Sequence, residues 1–114
     1  MLVYRFDAPL FFANADVLRD QVVRLVDDAD PPVRTVVLNA EGMVDMDISG
    51  AEALEALLDD LDARGVRLVM ARVRTSVRTT MQRLGVEDRI GAGNIHLTVR
   101  AAVLTTPDLD VPRP

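Results

Sequence analysis

Leu38-Asn39-Ala40-Glu41-Gly42-Met43-Val44-Asp45-Met46-Asp47-Ile48-Ser49-Gly50-Ala51-Glu52-Ala53-Leu54 is the stretch on which the reading of this chain turns. An apolar, β-branched run ends at Leu38. A short acidic loop follows and empties into an amphipathic segment with Ser49-Gly50 at its mouth. A buried strand running through a loop into a helix is half of a strand–helix–strand unit. Outside this stretch, no acid–base pair, metal cluster or phosphate loop stands out. The sequence therefore points to binding or regulation at this loop rather than to catalysis.

Working outward, Val33 to Leu38 is too short for a helix and reads as a strand buried on both faces, as in a parallel sheet. The helix after the loop runs from about Ser49 to Ala63, with Leu54, Leu57, Leu58 and Leu61 on one face. Asp59, Asp60 and Asp62 fall near its C-terminus, the unfavourable end for acids, and are expected to face water. Arg64-Gly65 closes it, with Gly65 as the residue just past the cap. Val66 to Met70 is the returning strand, so the crossover is right-handed by default.

Upstream, Leu2 to Phe6 reads as a strand and Asp7-Ala8-Pro9 as a turn. Leu10-Phe11-Phe12 reads as a second short strand that pairs with the first as a hairpin, its rings in the core or on the sheet face. A helix opens at Ala13–Asp16 with Asn14 as N-cap and Leu18, Val22, Leu25 and Val26 as its apolar stripe. Asp28 to Pro32 stops it. Downstream, Arg74 to Leu84 is a helix with Val77, Met81 and Leu84 on one face, ended by Gly85. Val86 to Asn94 is a connector, Ile95-His96-Leu97 a short edge strand, and Thr98 caps a last turn through Val103. Residues 1–104 form one domain and 105–114 a loose, proline-containing tail. The sum is an α/β fold with a small sheet, part parallel.

Composition narrows the function classes. The 114 residues fit one domain, and 49% hydrophobic content supplies a core of Val, Leu, Ala and Met. A net charge of −5 argues against a nucleic-acid partner. All 13 basic residues are Arg, the usage of a GC-rich genome, which removes a Schiff-base or P-loop lysine. There is no cysteine, no run near the ~20 apolar residues of a bilayer helix, and no expected signal peptide. The chain is expected to be cytosolic in character.

Candidate sites follow from local chemistry. Ser49 reads as the N-cap of its helix, with Glu52 completing a capping box; the alternative is a modification or ligand-contact site. Asp47 is expected to bond backbone donors in the loop, and Asp45 to be solvated. Gly50 permits either close packing or an anion at exposed N–H groups. Arg72, Arg74 and Arg78 cluster after a strand, where open parallel sheets gather ligands. They read as a solvated face paired with acids, or as contacts for a nucleotide phosphate or an anionic lipid. His96 lacks partners for a metal role, so no metal or cofactor is expected.

The strand, loop, Asp47-Ile48-Ser49-Gly50 and Ala51–Leu54 resemble the STAS domain, which joins sulfate transporters to anti-sigma-factor antagonists. Val3 to Ala15, Arg64 to Leu68 and Val77 to Ile90 resemble the branch found at the cytoplasmic C-terminus of SulP-type sulfate and anion permeases. The resemblance implies a small mixed β-sheet flanked by about four helices. It also implies a non-catalytic regulatory or interaction role, with Asp45, Asp47, Ile48, Ser49 and Gly50 as the regulatory loop. The transmembrane domain of the same permease would be the partner, and Phe11-Phe12 could dock on it. A stand-alone antagonist and a module sensing a guanine or adenine nucleotide through Ser49, Gly50, Arg72, Arg74 and Arg78 are the alternatives. In the antagonist branch a kinase modifies the hydroxyl residue after the motif aspartate. Here that position is Ile48, which has no hydroxyl.

Overall fold

The computed structural model describes residues 1–106. Strands β1 (Leu2–Arg5), β2 (Thr35–Asn39), β3 (Arg67–Ala71) and β4 (Ile95–His96) form one sheet in the order β1-β2-β3-β4. The helices are α1 (Ala15–Asp28), α2 (Ile48–Ala63), α3 (Thr75–Arg83), α4 (Val86–Ile90) and α5 (Val99–Thr105). Every strand pairing within this sheet is parallel, so among the described residues the sheet is parallel and not mixed, and five α-helices flank it where about four were expected.

Alternation along β2 and β3 divides the core in two. Val36, Leu38, Leu68 and Met70 join one cluster with Leu18 and Val22 of α1, the α2 leucines, Val77 and Met81 of α3, and Val86 and Ile90 of α4. Val37, Val69 and Ala71 point the other way and meet Ala102 of α5. One sheet face thus carries four helices and the other a single short one. β2 is buried from Thr35 to Leu38, as the apolar run from Val36 to Leu38 requires.

Four local expectations are corrected. The hairpin between Leu2–Phe6 and Leu10–Phe12 does not form. Leu10 instead makes an isolated parallel bridge with Met46, and Phe12–Asn14 is a 3-10 turn. The Asn14 side chain accepts from the Phe11 N–H at 2.9 Å and donates to the Pro9 carbonyl. Those bonds offer the backbone a local alternative to strand pairing and leave α1 without a side-chain cap. Leu25 is 43% exposed, because Leu18, Val22 and Val26 hold the i, i+4 line that faces α2 and the sheet. The Val86–Asn94 connector contains α4. Gly85 takes φ +79° to end one helix and begin the next, and Val86 and Ile90 bury four residues apart. Asp59 and Asp62 face water as expected, each also meeting Arg89, whereas Asp60 is only 23% exposed and pairs with Arg19 of α1. The hydrogen bond from Arg19 holds the Asp60 carboxyl below its ordinary range.

Of the expected tail, Thr105 still belongs to α5 and Thr106 is buried; the remainder lies outside the described residues. Thr98 caps α5, its Oγ1 accepting from the Ala101 N–H at 3.0 Å. In urea denaturation, Leu57→Ala should lower stability by about 2–5 kcal/mol, whereas Leu25→Ala should change it by no more than about 0.5 kcal/mol. Equal losses would place Leu25 in the core.

Candidate functional site

The loop between β2 and α2 is held by backbone contacts with the segment before α1. The Leu10 N–H donates to the Asp45 carbonyl at 2.9 Å, and the Asp47 N–H donates to the Leu10 carbonyl at 3.3 Å. Asp47 Oδ1 then accepts from the Gly50 N–H at 2.7 Å. Asp47, not Ser49, is therefore the N-cap of α2, and the helix starts two residues earlier than a Ser49 cap requires. The Asp45 carboxylate accepts from the Met46 N–H at 2.8 Å. Gly50 is buried, and a Cβ there would lie 2.0 Å from the Leu10 carbonyl oxygen. Close packing with Leu10 is thus the reason for glycine, and its N–H is already satisfied.

Ile48 is 64% exposed at the first position of α2. With Leu84 it borders two shallow recesses, one completed by Ala51, Glu52 and Glu55 and the other by Met46, Asp47, Thr80 and Arg83. Ser49 turns elsewhere, into a groove of about 520 Å³ between α1 and α2 beside Ala15, Asp16, Arg19 and Glu52.

The three arginines separate as well. Arg78 pairs with Glu87, and hydrogen bonds from Arg78 and then Gln82 hold the Glu87 carboxyl below its ordinary range. Arg72 pairs with the Glu41 carboxylate, Nε to Oε2 at 3.1 Å. Arg74 Nε donates to the Glu41 carbonyl at 2.8 Å. Arg72 and Arg74 border a recess of about 370 Å³ with Glu41, Val73 and Leu97. The structure therefore brings Arg72 and Arg74 together and leaves Ser49, Gly50 and Arg78 in other surroundings. Glu41 and Arg5 carry no signal in the sequence by themselves, and Leu84, expected on the apolar face of its helix, is instead the C-cap of α3 and 36% exposed. Arg5 is placed by the strand register, since it ends β1 opposite Asn39, and Asn39 lies opposite Ala71.

No set of three His, Cys, Asp or Glu side chains that could hold a metal occurs among the described residues. No helix there is long and apolar enough to cross a membrane.

A family model described as the STAS domain matches residues 1–102. The chain belongs to the STAS domain family. A protein named "Probable sulfate transporter" in Mycobacterium tuberculosis is 39% identical over 103 residues, which are 90% of this chain and 18% of that protein. The chain thus spans under one fifth of the length of that relative. Sulfate transporter 3.2 of Arabidopsis thaliana is 32% identical over 111 residues, covering 90% of this chain and 17% of that one. In fold, the chain is similar to the SulP transporter STAS domain from Vibrio cholerae. The TM-score is 0.73 at 22% identity, covering 90% of this chain and 77% of that one. A sulfate transporter family protein from Wolinella succinogenes gives a TM-score of 0.78 at 20% identity, covering 90% and 81%.

Gly50→Ala should cost roughly 1–3 kcal/mol or more and shift the amide signals of Leu10 and Asp47. Gly65, at φ +68° with open space around its Cβ position, provides the comparison. Gly65→Ala should cost about 1–2 kcal/mol and leave those signals in place. Unmoved Leu10 and Asp47 signals in Gly50→Ala would refute the close contact.

Proposed function

We propose that this STAS domain is the non-catalytic regulatory and interaction module of a SulP-type sulfate or inorganic anion transporter, on the cytoplasmic side of the membrane. The observation that carries this reading is the 39% identity to a domain-sized portion of a transporter. The partner is the transmembrane domain of the same permease, whose anion-conducting path is separate from this domain.

The geometry suits control by packing. Ile48 occupies the position where an antagonist presents its hydroxyl, so phosphorylation there has no acceptor. Ile48 and Leu84 instead offer an apolar pair at the mouth of α2, rimmed by Asp47, Glu52, Glu55 and Arg83. Apolar anchors inside a polar rim are the usual anatomy of a protein contact.

Labelled sulfate uptake in the native organism tests this. Ile48→Glu should lower uptake per transporter by about tenfold, the effect of losing one good apolar anchor. The folded domain should keep its stability within about 0.5 kcal/mol, because Ile48 is a surface residue. Unchanged uptake in both Ile48→Glu and Leu84→Glu, with transporter levels checked in the membrane, would contradict the role of this surface.

A further inference from the structure

The C-terminal edge of the sheet collects positive charge in an otherwise acidic domain. Arg5 ends β1, Glu41 follows β2, and Arg72 and Arg74 follow β3. Two guanidinium groups approach the Glu41 carboxylate: Arg5 Nη1 at 3.4 Å, and Arg72 through Nε at 3.1 Å and Nη2 at 3.3 Å. Arg74 reaches only the Glu41 carbonyl. Asp7 pairs with Arg5. Three cations thus meet two carboxylates, and one of those carboxylates is shared.

The Glu41 pairs are loose. Charge-assisted N–H···O bonds close to about 2.7–2.9 Å when geometry allows, and those to Glu41 are longer. Both partners are half-exposed, so the pairing adds little stability. The backbone nevertheless holds this arrangement at a cost. Arg72 has φ +57°, alone among the described non-glycine residues in the left-handed region, and its N–H is fixed to the His96 carbonyl at 3.1 Å. Such conformations persist where the surroundings impose them, and they cluster at binding sites. Arg74 is also the N-cap of α3, which has no side-chain cap, so the positive end of that helix adds to the same field.

We propose that Arg5, Arg72 and Arg74 form a binding site for a tetrahedral oxyanion, with Glu41 as an internal stand-in that the ligand displaces. A carboxylate has two oxygens and engages two of the guanidiniums. A sulfate or phosphate group has enough oxygens to engage all three: Arg72 and Arg74 border a recess of about 370 Å³ open to solvent with Glu41, and Arg5 reaches the same carboxylate from the end of β1. The site depends on these residues alone, whether or not the domain is attached to a transporter. The free inorganic anion and a phosphate carried on a larger molecule share this chemistry.

The test is titration of the 114-residue chain with sodium sulfate and, separately, sodium phosphate, followed by amide NMR at ionic strength held constant with sodium chloride. Saturable shifts at Arg5, Glu41, Arg72 and Arg74 are expected. Glu41→Gln removes the competing charge and should tighten binding by about tenfold, a difference of about 1.4 kcal/mol. Arg72→Gly deletes a guanidinium while relaxing the backbone. It should abolish saturation with no loss of melting temperature. Comparable response to both anions supports a free-oxyanion site, and response to phosphate alone supports a phosphate-bearing ligand. Shifts no larger than those from chloride, in both wild type and Glu41→Gln, would overturn the site, as would undiminished binding by Arg72→Gly.

Discussion

The close approach of the Leu10 carbonyl to Gly50 is the contact on which the rest of this structure depends. No side chain fits between them, so the segment before α1 lies against the first turn of α2. That placement lets Leu10 bond both Asp45 and Asp47 through its backbone, and it sets Asp47 to cap the helix. A capped helix fixes the direction in which Ile48 and Ser49 leave the chain. Ile48 goes to solvent and Ser49 to the groove beside α1, two surfaces from adjacent residues.

The parallel sheet organises the arginine cluster. All strands run the same way, so their C-terminal ends share one edge, and the loops that follow β2 and β3 are neighbours there. Glu41 and the Arg72–Arg74 segment meet because of that topology and not because of sequence proximity. Helices α1 to α4 occupy one face and α5 the other, which leaves the edge as the place where polar side chains converge without competing with the core.

The core strands were legible because burial on both faces demands an unbroken apolar run, as in Val36 to Leu38. The helix α2 was legible because its leucines recur at helical spacing. The start of that helix was not, since Asp47 and Ser49 are both good capping residues and only the Leu10 contact decides between them. Leu10–Phe12 looked like a strand by composition, and its fate was decided by Asn14 and Met46, one local and one distant. The short helix α4 was hidden by its length, though Val86 and Ile90 carry the spacing of one turn. Of the candidate site, the loop from Asp45 to Gly50 was visible. The gathering of Arg5 with Glu41 required the strand register, which one sequence does not display.

The central claim is that this STAS domain works as part of a membrane transporter. It is tested most directly by an immunoblot of the native organism with an antibody to the domain, after separating soluble and membrane fractions. The account predicts a signal in the membrane fraction on a polypeptide much heavier than 12.5 kDa. A soluble species near 12.5 kDa, absent from membranes, would contradict it and make the chain a free-standing STAS protein.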